Sequence, residues 1–164
     1  MTSRKEIYVI DDRVDWDVGK RGALWGPFIA LHTIGEATMT SAETMVDNVI
    51  AKLSDGEHID ILRIVDHGNR ASLQLGDDEI SAASFNNHTR KFQELTPHFA
   101  QEGIAHFVGC LIGNNVGLMH QFAVVWGVTV YAGTGLTNGF EINNGQWLSV
   151  SSDGTVTRDT GWPE

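Results

Sequence analysis

The sequence predicts an α/β domain whose mostly parallel sheet is covered by helices on both faces. Three observations carry that expectation. Short apolar runs of strand length recur along the chain, at 5–10, 28–34, 59–65, 104–109 and 128–133. Segments with helical spacing of apolar residues separate several of them. Strands buried on both faces read as continuous apolar runs, and parallel neighbours need crossovers, usually helical, between them. A length of 164 residues fits a single domain, 1–164, with a substantial core.

The elements follow in order. KEIYVI, 5–10, is rich in β-branched and aromatic residues and ends at Asp11-Asp12. The polar stretch DDRVDWDVGKRGALWGP reads as a loop, and FIALHTI, 28–34, as the second strand. In SAETMVDNVIAKL, apolar residues fall at 42, 45, 46, 49, 50 and 53, which is a helix with Ser41 as N-cap and Gly56 just beyond its end. IDILRIV, 59–65, is a buried strand that breaks at Asp66-His67-Gly68. LQLGDDEIS turns at Gly76-Asp77-Asp78 and predicts a small β-hairpin. Residues 84–102 read as helical, interrupted near Pro97, and IAHFVG, 104–109, as a strand ending at Cys110. NVGLMHQFAVVW, 115–126, predicts a helix and VTVYAG, 128–133, another strand. Two short runs in the Gly- and Asn-rich tail, EINNGQWLSV and GTVTR, predict a terminal hairpin.

Composition removes several function classes. The net charge of −10, from 11 basic and 21 acidic residues, offers no basic patch to replace nucleic-acid counterions and disfavours anionic membrane surfaces. One cysteine makes no internal disulfide, and a free thiol points to a reducing compartment. The apolar run Ile7–Ile10 is too short for a signal-peptide core, and no stretch has the length of a membrane span. A cytoplasmic protein is the expectation, or one exported without a signal peptide.

The chemistry concentrates at two strand ends. In parallel α/β sheets, ligands bind outside the carboxyl ends of the strands. His67 and Cys110 each stand at such an end, on consecutive units, and neighbouring strands lie about 5 Å apart. A cysteine thiolate is a nucleophile, and an imidazole beside it takes the thiol proton and returns it to a leaving amine. The oxyanion formed on a carbonyl needs two donors, for which the N–H groups of Gly68 and Cys110 are suited. A turn into a helix after Cys110 would lower the thiol pKa.

A strand ending in His-Gly, followed by another ending in Gly-Cys, resembles the caspase-like (clan CD) cysteine peptidase fold, and the order His before Cys matches it. Asp66–Trp147 is more closely similar to the bacterial DUF4347-type domain family, through DHG, LQLGDDEIS, FVGCLIG, WGVTVYAGTGLTNG and NNGQW. The resemblance covers about half of the chain. It implies a three-layer α/β/α arrangement with the small hairpin between the His and Cys units. It also implies a cysteine endopeptidase acting on a peptide or protein, with His67 as base and acid, Cys110 as nucleophile and Gly68 as oxyanion donor. No cofactor is called for. Members of the family commonly carry a small residue where this chain has Asp66, and the apolar residues after Cys110 depart from the caspase signature. Asp66 either holds the imidazole or faces the other way. A catalytically inactive binding or assembly module on the same fold is the alternative, and a flavodoxin-like ligand-binding domain a third reading.

A substrate pocket would be lined by the end of the first strand and the segment after 128–133, which brings in Asp11, Asp12, Asp66 and Thr134. An acidic pocket selects Lys or Arg, while Arg13 and Arg21 in the same loop would select Asp or Glu. The acidic net charge inclines the reading towards basic substrates. His32 and His106 lie inside apolar runs and read as core residues, and no His/Cys/Asp/Glu spacing resembles a zinc site. AGTGLTNG, 132–139, lacks the Gly-Lys-Ser/Thr of a phosphate loop and reads as a substrate-flanking loop.

Overall fold

The computed structural model describes residues 4–14, 32–137 and 143–163, with side chains in the second of these from Gly35 onward. Trp16, Arg21, Trp25 and the first part of the 28–34 run lie outside the described residues.

The seven-stranded sheet has the order β10-β9-β8-β7-β3-β1-β2. Its parallel part is β1 (Arg4–Asp11), β2 (His32–Met39), β3 (Ile59–Val65), β7 (Phe99–Phe107) and β8 (Thr129–Gly133). β9 (Trp147–Val150) and β10 (Val156–Arg158) add an antiparallel edge, which is the expected terminal hairpin. A second sheet has three strands, β4 (His67–Gly68), β5 (Ser72–Leu75) and β6 (Asp78–Ser81). The hairpin between the His and Cys units is therefore present, with His67 and Gly68 paired onto it.

Successive residues of a strand point to opposite faces of the sheet. Ile7, Val9, Leu62, Ile64, Ala105, Phe107, Val130 and Ala132 share one core with helices α1 (Ala42–Ile50), α2 (Thr89–Phe92) and α3 (Val116–Trp126). The alternate residues Tyr8, Ile10, Val65 and Val108 form a second cluster with Val14 and Trp162. The described helices thus cover one face. A helical layer on the other face, expected from the sequence, is not seen among the described residues. What stands there is the C-terminal Trp162 and a polar row.

That row follows from the register. Tyr8 pairs with Arg63, Arg63 with His106, and His106 with Tyr131. Arg63, 2% exposed, donates to Glu6, contacts His106 Nδ1 at 2.7 Å and donates to the Pro163 carbonyl at 2.9 Å. Its guanidinium also lies 4.5 Å from the centre of the Trp162 ring.

The helix ends obey the expected chemistry. Ser41 caps α1 in a reciprocal capping box with Thr44. Asn115 accepts from the Leu118 N–H at the start of α3, and Gly127 closes that helix at φ 66°. Two elements differ from the sequence reading. The second strand, described from His32, continues past the 28–34 run to Met39, because at the sheet edge alternation suffices: Ala37 and Met39 are buried while Glu36 and Thr38 are exposed. Residues 99–102 belong to β7 rather than to a helix, and helical turns end at His98. Ile59 pairs with Phe99 and Ile61 with Ile104, so the polar Gln101-Glu102-Gly103 stretch bulges out of the ladder.

Candidate active site

β3 and β7 are adjacent and parallel, and the Val108 N–H donates to the Ile64 carbonyl at 2.8 Å. Carried one step further, the register sets Gly109 beside Asp66. The chain then leaves β3 and pairs His67 with Gln74 and Gly68 with Leu73. Asn69 N–H donates to Ser72 O at 2.9 Å, so by antiparallel alternation Gly68 and Leu73 form the pair without mutual hydrogen bonds. The Gly68 N–H consequently points away from β5.

The hairpin that carries this arm is pinned. Gly76, at φ 60°, turns so close to Thr40 that a Cβ would lie 1.9 Å from the Thr40 carbonyl carbon, which only glycine permits. Asp77 N–H donates to Thr40 O at 2.8 Å, and Ala42 N–H to Asp78 Oδ2 at 2.8 Å.

The Cys110 turn is built differently. Leu111 adopts φ 63°, a left-handed conformation that strains a residue with a Cβ. Its N–H donates to Gly135 O at 2.8 Å. Cys110 is half-buried; its Sγ accepts from Thr137 N–H at 3.4 Å and lies 3.6 Å from Thr137 O. Thr137 Oγ1 donates to Gly109 O at 3.2 Å, so the segment after β8 holds the turn on both sides of the cysteine. The Cys110 N–H takes no partner among the described residues.

The two arms meet at Gly68. A Cβ there would lie 2.4 Å from Ile112 Cγ1 and 2.8 Å from the Cys110 carbonyl oxygen. Asn115 Nδ2 donates to Ala71 O at 3.0 Å and ties the start of α3 to the β4–β5 turn. The structure therefore brings Gly68 against the Cys110–Ile112 turn. No hydrogen bond joins Cys110 Sγ to His67, which is exposed.

A cleft of about 380 Å³ is lined by Arg13, His67, Gly68, Asn69, Ser72, Leu73 and Gln74. Asp11 lies beneath Arg13 with no exposed surface. Its Oδ1 accepts from the Arg13 N–H and Nε, and its Oδ2 from Arg13 Nη2 and the Gly76 N–H. Burial works against its charge, but the hydrogen bonds and charge of Arg13 outweigh that and hold its carboxyl below the usual range. Asp11 is thus committed to Arg13, whose side chain is 45% exposed and faces the cleft. Asp12 is exposed. Thr134 is engaged with the segment before β9: its N–H donates to Gln146 O, and its Oγ1 accepts from Gln146 N–H at 2.9 Å.

Asp66 makes no hydrogen bond to His67. It is 5% exposed, and neither carboxyl oxygen has a hydrogen-bond partner among the described residues. A Cβ on Gly109 would lie 2.7 Å from its Oδ1. Burial, and then the charge of Asp11, push its carboxyl well above the usual range. Sequence reasoning missed Gln74, Thr137 and Asn115 as site residues; only Asn115 had a local signal, as the N-cap of a predicted helix. Among the described residues, no group of three or more His, Cys, Asp or Glu is placed to hold a metal ion, and no helix is long and apolar enough to cross a membrane.

The family model described as a domain of unknown function, DUF4347, matches residues 15–160, and the chain belongs to that family. No curated protein and no solved structure matches.

Proposed function

We propose that this DUF4347 domain is a caspase-like cysteine endopeptidase that cleaves a peptide or protein, with neither nucleic acid nor membrane as partner. Its nucleophile is Cys110 and its base His67. The observation that carries the reading is the packing of Gly68 against the Cys110 carbonyl, which sets the two strand ends in van der Waals contact. His67 takes the thiol proton and Sγ attacks the substrate carbonyl carbon. The oxyanion is met by the N–H groups of Gly68, turned away from β5, and of Cys110, which is unpartnered. His67 returns the proton to the leaving amine, and a water activated by His67 then hydrolyses the thioester. The Thr137 contact of Sγ is long, and rotation about the Cα–Cβ bond of Cys110 releases it; catalytic hydrogen bonds are often loose before substrate binds. On the residue before the cut, the cleft offers Arg13, while the Asp11 carboxylate is already spent on that arginine.

The second reading is a catalytically inactive binding or assembly module. It is favoured by the engagement of Sγ with Thr137 and by the absence of Cys110 from the residues lining the cleft. The rate of Cys110 alkylation by iodoacetamide from pH 5 to 9, in the wild type and His67→Ala, separates the two. A fast reaction with an inflection well below the free-thiol value of about 8.5, lost in the variant, supports the dyad. A slow reaction indifferent to His67 overturns it.

A further inference from the structure

Asp66 has no role in the proposed reaction, yet it is the buried carboxyl nearest to the Cys110 turn. Three strand ends meet around it. Ile10 pairs with Val65, so Asp11 of β1 stands level with Asp66, and Gly109 after β7 flanks it on the other side. Gly109 lies so close that even a methyl group on it would crowd Oδ1 and Ile112 Cδ1, at 2.7 and 2.6 Å. No space is left there for the solvation that an ionised carboxylate needs.

Among the described residues, the charged and titratable groups around Asp66 give it no cation of its own. β1 contributes Asp11, whose partner Arg13 is bound to it through two nitrogens and also lies near Asp12 and Asp77. The β5 side contributes only the Gln74 backbone, the turn after β7 contributes the Cys110 thiol, and the imidazole of His67 follows on the chain.

We propose that Asp66 is a positioning residue for Cys110: with its proton on, the Gly109–Cys110–Leu111 turn seats on the carboxyl, and loss of that proton lifts the turn. The direction of movement follows from what holds each side. The hairpin side is fixed to Thr40, Ala42 and Asp11. The turn side is tied only to the segment after β8, through the Leu111–Gly135, Cys110–Thr137 and Gly109–Thr137 contacts, and it stores strain at Leu111, so it yields first. As a regulation of the site this rests on Cys110 being the nucleophile; the seating itself does not.

Hydrogen exchange at the Leu111 amide across pH 5 to 9, corrected for the intrinsic rate, tests the seating in the wild type and in Asp66→Asn, which is neutral throughout. In the wild type, protection falls as pH rises, by up to tenfold per unit for one proton released. In Asp66→Asn it stays level. Asp66→Ser gives the same reading if the amide variant does not fold. Wild-type protection that is independent of pH, or that falls equally in the variants, overturns the proposal. The alkylation of Cys110 in His67→Ala is scored separately, so failure of the dyad and failure of the seating are distinguishable.

Discussion

Arg63 and Asp66 lie three residues apart at the end of one strand, are both buried, and point to opposite faces of the sheet. Arg63 is met by Glu6, His106, the Pro163 carbonyl and the Trp162 ring, contributed by three other parts of the chain. Among the described residues, Asp66 has no hydrogen-bond partner on either oxygen. A charge taken out of water is tolerated when its own polar atoms are answered, as each guanidinium nitrogen of Arg63 is in the first case. In the second case burial pushes the carboxyl well above the usual carboxylate range, and it sits where the chain also bends through a strained residue beside its sole cysteine. The contrast separates a polar network that fixes structure from an unmet group that marks a site.

The largest effect is expected from breaking the answered side. Arg63→Met leaves the buried Glu6 without its guanidinium, and removing one partner of a buried pair costs about 3–5 kcal/mol. Urea denaturation at pH 7 measures it; a loss under about 1 kcal/mol, the range of an exposed pair, would show that Glu6 and Arg63 are solvated in solution.

Crowding the other side comes next. Gly109→Ala pushes a methyl group against Asp66 Oδ1 and Ile112, and overpacking of this kind costs about 1–3 kcal/mol. In an Asp66→Ser background one of the two clashing atoms is gone, so the cost falls. Equal costs in both backgrounds would place the strain on Ile112 alone.

The pH dependence sharpens the comparison further. The raised folded-state pKa of Asp66 means that the unfolded chain releases this proton first, so stability declines as pH rises above about 3.9, by at most about 1.4 kcal/mol per unit, until the folded group also ionises. Asp11 has the opposite sign: its depressed pKa contributes stability above the same value and loses it as pH falls through the folded pKa. Asp66→Asn is therefore expected to match the wild type in acid and to exceed it at neutral pH. Thermal melts at pH 4 and pH 7 decide it, and a variant less stable at pH 7 sinks the assignment.

How much of this was legible in the sequence follows from the range of each interaction. β1, β3 and β8 were readable because a strand buried on both faces is an unbroken apolar run. That the chain after β3 and the turn after β7 end side by side was readable because consecutive parallel units place their ends together. β2 runs on past the predicted apolar run because an edge strand needs only alternation, and the early start of β7 was hidden by a polar bulge. The Arg63 network joins residues 43, 57 and 100 positions away, and Thr137 meets Cys110 across 27. Neither has a local signature. That Asp66 lacks a partner was invisible for the same reason: a missing contact is known only once all the neighbours are placed.

Asn115 carries the smallest expected effect and the most specific one. Its Oδ1 caps α3 through the Leu118 N–H, while its Nδ2 reaches the Ala71 carbonyl and ties the Cys110 arm to the His67 arm. Asn115→Ala removes both contacts, and loss of the cap costs about 1 kcal/mol. Asn115→Ser restores a capping oxygen but has no donor long enough to reach Ala71. Stability is expected to return in the serine variant while the tie stays broken. If the tie helps to seat the Cys110 turn, both variants show the same faster exchange at the Leu111 amide, although only one is destabilised. Exchange that recovers together with stability would assign Asn115 to the helix alone, and leave the packing of Gly68 on Cys110 as the contact that holds the two arms together.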